Sequence, residues 1–217
     1  MRRHICFHGI GRCTVEREPG EARYWMGTDE FLRSADALAA AGDVEISFDD
    51  GNRSDLEIAL PALRERGLVA TFFVLAGRLD DPASLGASDI RALRDAGMTI
   101  GSHGWDHMPW RGLSPADAHR ELVAARDELS TIVRAPVTDA ALPLGRYDRQ
   151  LLGRLRRAGY RAVYTSDRYP ARDGSWLRAR YSVTSADTGE TVAALLRRPP
   201  GPADARQRVV SAIKRLR

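Results

Sequence analysis

A chain of 217 residues, 43% hydrophobic and 29% charged, is long enough for one sizeable core, short for two, and too apolar for disorder. Its net charge of +4 comes from 33 basic and 29 acidic residues interleaved along the chain. Nearly all the bases are arginine, Lys214 is the only lysine, and no like-charge block argues for nucleic acid.

Cys6 and Cys13 are the only cysteines, so a disulfide framework is excluded and reduced packing thiols are expected. The start, Met1 to Gly9, has three apolar residues in a row. A signal peptide needs roughly 7–15 and a membrane span about 18. The expected location is cytoplasmic, with no integral membrane segment.

Short β-rich runs alternate with helical patterns. Ile5 to His8 reads as a first strand. After a long irregular loop, Thr28 caps a helix with Phe31, Leu32, Ala35 and Leu38 on one face. Val44 to Phe48 is the second strand. Ser54-Asp55-Leu56-Glu57 has the form of a capping box opening a helix to Gly67, with Pro61 kinking it or delaying its start. Val69 to Leu75 and Met98 to Ser102 are the third and fourth strands, with a short helix, Ser88 to Ala96, between them.

Ser114-Pro115-Ala116-Asp117 opens a helix to about Val133. Ala140 to Leu142 is the fifth strand, and Asp148 starts a helix to Ala158. Arg161 to Thr165 and Leu177 to Val183 complete seven strands, and Thr191 to Arg197 makes a helical turn or two. Residues 1–198 are expected to form the body of the fold. Residues 199–217 are expected to be a Pro-Pro-Gly-Pro linker and an amphipathic tail helix. Strands alternating with helices predict α/β architecture with a parallel sheet, and seven units in sequence suggest a barrel. Such folds place reacting groups at the carboxyl ends of strands.

Two motifs fall at such ends. Asp49 and Asp50 follow the second strand in Ser47-Phe48-Asp49-Asp50-Gly51, and His103 and His107 follow the fourth in Ser102-His103-Gly104-Trp105-Asp106-His107. Alone, the first reads as a strand followed by a turn. The second brings two imidazoles together from a helix face or from a tight loop. Together, two imidazoles and one carboxylate leave a coordination position open, as a catalytic metal requires, and the other carboxylate stays unligated to act as a base.

These motifs resemble the first and second motifs of the polysaccharide deacetylases, the NodB-homology or carbohydrate esterase family 4 group. Ala70-Thr71-Phe72-Phe73-Val74 and Gly97-Met98-Thr99-Ile100-Gly101 resemble the segments around them, and the similarity runs from about His4 to Val183. The resemblance implies a single-domain, distorted (β/α)7-type barrel with one divalent metal, zinc first and cobalt, nickel or manganese as alternatives. It implies Asp50, His103 and His107 as ligands and Asp49 as the base toward the attacking water. The implied substrate is an N-acetylated carbohydrate.

Two family features are missing. Where most members have Arg-x-Pro-Tyr-Gly, this chain has Ala141-Leu142-Pro143-Leu144-Gly145. The resemblance places an oxyanion-stabilising backbone N–H at Leu144, which a side-chain change does not remove. The arginine that orients the base in relatives is absent at Ala141, and Arg178 or Arg180 is a candidate replacement. The late Leu-x-His that supplies a general acid is also absent. His8, in Cys6-Phe7-His8-Gly9-Ile10, resembles the arrangement of a branch in which the acid-bearing strand comes first. Trp105 and Tyr147, with Trp25 and Trp110, are candidates to stack on a sugar. His4 and His119 read as packing or solvated residues, and Asp106 as a surface loop residue. The expected function is removal of an N-acetyl group from an amino sugar. The alternatives are deacetylation of a small non-polymeric metabolite and a carbohydrate-binding pseudoenzyme.

Overall fold

Eight short strands, all paired in parallel, run in the order β7-β6-β5-β4-β3-β2-β1-β8 in a computed structural model that describes residues 1–217. They are β1 (Arg3–Phe7), β2 (Val44–Phe48), β3 (Thr71–Val74), β4 (Thr99–Ser102), β5 (Asp139–Ala141), β6 (Ala162–Thr165), β7 (Leu177–Ala179) and β8 (Tyr181–Ser182). The helices that cover them are α1 (Thr28–Ala41), α2 (Leu60–Glu65), α3 (Ala87–Asp95), α4 (Pro115–His119), α5 (Ala125–Val133), α6 (Arg149–Arg157), α7 (Gly189–Arg197) and α8 (Pro202–Leu216). This is the expected α/β barrel as a single domain.

The expected seventh strand is where the barrel closes. Its first half, β7, pairs with β6, and its second half, β8, pairs with β1, at opposite edges of the sheet. Only Arg180 separates them. Its N–H donates to the Thr165 carbonyl at 2.9 Å, and its own carbonyl accepts from Arg168 N at 2.9 Å. One chain segment therefore joins both edges, and the sheet becomes a nearly closed barrel.

The period of two along β1 divides the core. Ile5 and Phe7 face outward into the main apolar cluster with Phe31, Phe48 and Phe72. Phe48 and Phe72 stack at 4.7 Å, and Phe7 meets Phe31 edge-on at 5.2 Å. Each such ring contributes roughly 1.5–3 kcal/mol on burial. His4, Cys6 and His8 lie on the other face, inside the barrel, which is how one strand delivers both core and polar groups.

Local signals were met unevenly. Ser114 Oγ accepts from Asp117 N at 3.2 Å and Asp148 Oδ1 from Leu151 N at 2.8 Å, as caps. Ser54 does not cap. Its hydroxyl accepts from Ile10 N at 3.1 Å and pins the loop after β1, and the backbone is already helical at Ser54. A wide turn over Asp55–Ala59 precedes α2, with Leu60 N–H reaching Asp55 O. That widening sits directly before Pro61, which has no N–H to give to a helical ladder. The tail helix α8 is anchored by side chains: Tyr181 Oη donates to Asp204 at 2.7 Å, Tyr147 Oη meets Ser211 Oγ at 2.8 Å, and Lys214 pairs with Asp167 at 2.6 Å. No helix is long and apolar enough to cross a membrane.

Candidate active site

The chain leaves β2 into Asp49, whose N–H still donates to the Phe7 carbonyl at 3.0 Å, and then turns sharply. Asp50 (φ 77°) and Gly51 (φ 65°) are consecutive left-handed residues. For Asp50 that conformation costs on the order of 1–3 kcal/mol and is held by its surroundings. At Gly51 a β-carbon would also stand 3.0 Å from Val74 Cγ1. The turn aims two adjacent carboxylates into one cavity.

The two histidines come from a loop, not from a helix. Gly104 (φ 91°) lets the chain pass over Glu121, whose Oε2 would lie 2.3 Å from a β-carbon there. Glu121, fully buried, accepts from Trp105 N at 2.9 Å, Asp106 N at 3.0 Å and Trp110 Nε1 at 3.1 Å. A single carboxylate thus organises the loop that carries His103 and His107.

Each imidazole is fixed by its far nitrogen. His103 Nδ1 faces the Ala141 carbonyl at 2.9 Å, and a carbonyl only accepts, so Nδ1 carries the proton and Nε2 offers its lone pair. His107 Nδ1 donates in the same way to Glu18, at 2.6 and 2.8 Å. His103 Nε2 and His107 Nε2 then lie 3.5 and 3.4 Å from Asp50 Oδ1. That oxygen is buried without a hydrogen-bond partner, and the three donors lie within 4.8 Å of one another. A buried unpartnered carboxylate oxygen facing two imidazole lone pairs fits a divalent cation. Burial lowers the His103 pKa to about 4, keeping it neutral as a ligand must be.

Asp49 is held from the other side. Arg180 donates from Nη1 to Oδ1 at 2.6 Å and from Nη2 to Oδ2 at 2.7 Å, and Nη1 also reaches Ser47 Oγ at 3.0 Å. Arg180 has no solvent exposure and lies over the Phe73 ring at 5.2 Å. Burial pushes the Asp49 carboxyl up, but the charge of Arg180 and its hydrogen bonds outweigh it and hold the group well below the usual carboxylate range. Asp49 Oδ2 stands 3.9 Å from His103 Nε2 and 4.0 Å from His8 Nε2.

One cavity of about 470 Å³ is lined by His8, Asp49, Asp50, His103, His107 and Leu144. Leu144 (φ 56°) is 55% exposed on the turn after β5. His8 packs against the Tyr24 ring, tilted by 35° at 4.7 Å between centroids.

Five sequence candidates lie elsewhere. Tyr147 is buried, and its hydroxyl donates to Asp167 at 2.7 Å beneath α8, so it has no face for a sugar. Trp105 packs against Gly77 and under the Arg120 guanidinium at 4.9 Å. Arg178 sits at the opposite mouth of the barrel, donating to Tyr164 Oη at 2.9 Å; it shares the inward strand face with Arg180 but lies two residues nearer the amino end of the strand, away from Asp49. Trp110 is core, and Trp25 lies flat on Gly9. His4 is buried against Glu45 at 3.0 Å, whereas His119 is exposed on α4 and Asp106 pairs with Arg120.

Glu18, Glu121 and Asp55 escaped the sequence reading. Glu18 lies in an irregular charged loop, far in sequence from His107, and nothing local marks it. Glu121 is the more legible of the two, an acid beside the apolar residues Leu122, Ala125 and Leu129 of one buried helical face. Asp55 is fully buried with both oxygens unpartnered. Burial and the nearby Asp50 and Asp49 charges push its carboxyl well above the usual range.

The sequence profile of the polysaccharide deacetylase family matches residues 38–163, more than half of the chain. YxkH of Bacillus subtilis (strain 168), named for the same family, is 27% identical over 124 residues. That match covers 57% of this chain and 44% of the relative, so the chain spans less than half of the relative's length. Among solved structures, the Streptococcus pyogenes deacetylase PplD, in complex with acetate, superposes with a TM-score of 0.78 at 18% identity, over 91% of this chain and 98% of that one. IcaB from Ammonifex degensii gives a TM-score of 0.76 at 21% identity, over 90% and 97%. At these identities the two structures speak for the fold.

Proposed function

Because the chain belongs to the polysaccharide deacetylase family, we propose that it is a metal-dependent hydrolase that removes the N-acetyl group of an amino sugar. The observation that carries this reading is the convergence of Asp49, Asp50, His103, His107, His8 and Leu144 on one cavity.

Asp50, His103 and His107 would hold the ion. A divalent cation there, zinc first by its match to two imidazoles and a carboxylate, supplies a Lewis acid for the acetyl carbonyl and lowers the pKa of water. Asp49, kept ionised by Arg180, accepts the proton of the attacking water. Arg180 positions that carboxylate from the strand break, the task that the missing motif arginine has in relatives. The backbone N–H of Leu144 would stabilise the oxyanion, and His8 would deliver a proton to the departing nitrogen.

The test is acetate release from a panel of N-acetylated sugars and conjugates, with and without chelator, alongside metal analysis. The reading requires acetate release that chelation abolishes and metal restores. No acetate from any member, in a protein that binds about one ion, favours the sugar-binding pseudoenzyme instead.

A further inference from the structure

The cavity is unusual in what lines it away from the reacting centre. Of its 19 lining residues only Tyr24, Leu142 and Leu144 are hydrophobic, and Tyr24 is already packed against His8. Sugar sites that recognise neutral rings use open aromatic faces, and the tryptophans of this chain lie elsewhere. In their place stand four arginines: Arg23, Arg78, Arg146 and Arg168.

The lining carboxylates neutralise only one of them, Arg78. Glu21 is taken by Arg17, Glu18 by Arg78 and His107, and Asp49 by Arg180, while Asp50 faces the two imidazoles. Arg23, Arg146 and Arg168 are left without a carboxylate. The Arg168 side chain donates only to the Ser182 carbonyl, at 2.8 Å. These three come from three separate loops: the one after β1, the β5–α6 connection and the β6–β7 connection. Three guanidiniums offer more donors than one carboxylate can accept, whereas a phosphoryl group has three acceptor oxygens and up to two charges. At about 470 Å³ the cavity is within the range of small-molecule sites, roughly 300–1,000 Å³.

We propose that Arg23, Arg146 and Arg168 form a phosphate-recognition site, and that the substrate is an N-acetylamino sugar bearing a phosphoryl group. The substrate half of this proposal rests on the deacetylase reading above.

The experiment compares kcat/KM for acetate release by the zinc-loaded full chain across four sugars. These are a neutral methyl glycoside of N-acetylglucosamine, its 1-phosphate, its 6-phosphate, and N-acetylmuramic acid as a carboxylate control. One of the phosphates is expected to exceed the neutral sugar by about ten-fold or more, with the advantage shrinking as salt is raised. In Arg23→Gln/Arg146→Gln, and separately in Arg168→Gln, the phosphate-to-neutral ratio is expected to fall at least several-fold. Calorimetric titration of the same sugar phosphate into Asp49→Asn, with and without the arginine substitutions, reads recognition without turnover. Weaker binding in the arginine variants supports the site even where no sugar yields acetate, and only the deacetylase reading then falls. Acetate from neutral and phosphorylated sugars at equal kcat/KM keeps that reading and overturns this one. So does a preference for the carboxylate, or a ratio unmoved by both sets of substitutions.

Discussion

Arg180 and Asp49 meet through two parallel hydrogen bonds, 2.6 and 2.7 Å, across a pair that is almost wholly removed from solvent. The geometry fixes both carboxylate oxygens, so Oδ2 is presented toward His8 and His103 at a set angle. Removing one partner leaves a buried charge unpaired, which typically costs 3–5 kcal/mol. Arg180→Met is therefore expected to lower Tm and to reduce kcat by about 10²-fold or more. Arg180→Lys keeps the charge but loses the fork, and is expected to recover stability more than activity. Asp49→Asn should keep its metal and lose roughly 10²–10⁴-fold in rate. Paired thermal melts and acetate assays separate these effects. Full activity in Arg180→Met would remove the positioning role.

Glu18 fixes the proton on His107 Nδ1 from a loop remote in sequence. Partners of this kind typically contribute 10–100-fold in metal affinity. Glu18→Ala is expected to weaken zinc binding by about that factor in competition with a chromophoric chelator. His103→Ala should abolish it. Wild-type affinity in Glu18→Ala would mean that His107 needs no help to face the ion.

His4 predicts a pH dependence of stability. Burial depresses its pKa from 6.5 to about 4, the Glu45 hydrogen bond offsetting only part of the effect. Below pH 6.5 the unfolded chain takes up a proton that the folded chain refuses until about pH 4. The stabilisation is complete above pH 6.5 and is lost as pH falls, by on the order of 3 kcal/mol across that window. His4→Gln has no such proton, so its unfolding free energy should fall less between pH 7 and 4.5. Parallel urea melts of the two proteins check this, and equal slopes would assign the acid sensitivity elsewhere.

The motifs proposed to hold the metal and the attacking water stand out in the sequence because each is compact: Asp49-Asp50-Gly51 and His103 to His107 carry their own turn residues. The barrel was legible from strand–helix alternation. The join between its edges was not, because Leu177 to Val183 reads as one strand, and only the closed sheet shows that Arg180 belongs to the gap. Alternation along that segment puts Arg178 and Arg180 on one inward face, and only their height along the barrel, set by the closed sheet, separates them. The aromatic candidates failed for another reason. Composition says that Trp105 and Tyr147 are large and amphipathic, and packing alone decides whether they meet ligand or core. Ser54 failed as a cap because Ile10 N, remote in sequence, competes for its hydroxyl.

The last prediction concerns the proton for the leaving group. Hydrolysis of an N-acetyl group needs one delivered to nitrogen, since an amine anion is far too basic to depart. Five histidines are available. His103 and His107 turn Nε2 toward Asp50, His4 is buried beside Glu45, and His119 is exposed on α4. Burial pushes the Cys6 thiol up, so it is a poor donor. His8 remains: it lines the cavity, places Nε2 4.0 Å from Asp49, and is backed by Tyr24. His8→Ala is expected to lower kcat on an amide by about 10²-fold or more with metal content unchanged. The defect should shrink on an acetyl ester with a good leaving group, which departs without protonation. Tyr24→Phe separates the neighbour, since it removes a hydroxyl and keeps the ring against His8. Full amide activity in His8→Ala, with a large loss in Tyr24→Phe, would move the acid to the phenol. Loss of metal in His8→Ala would instead place His8 among the ligands.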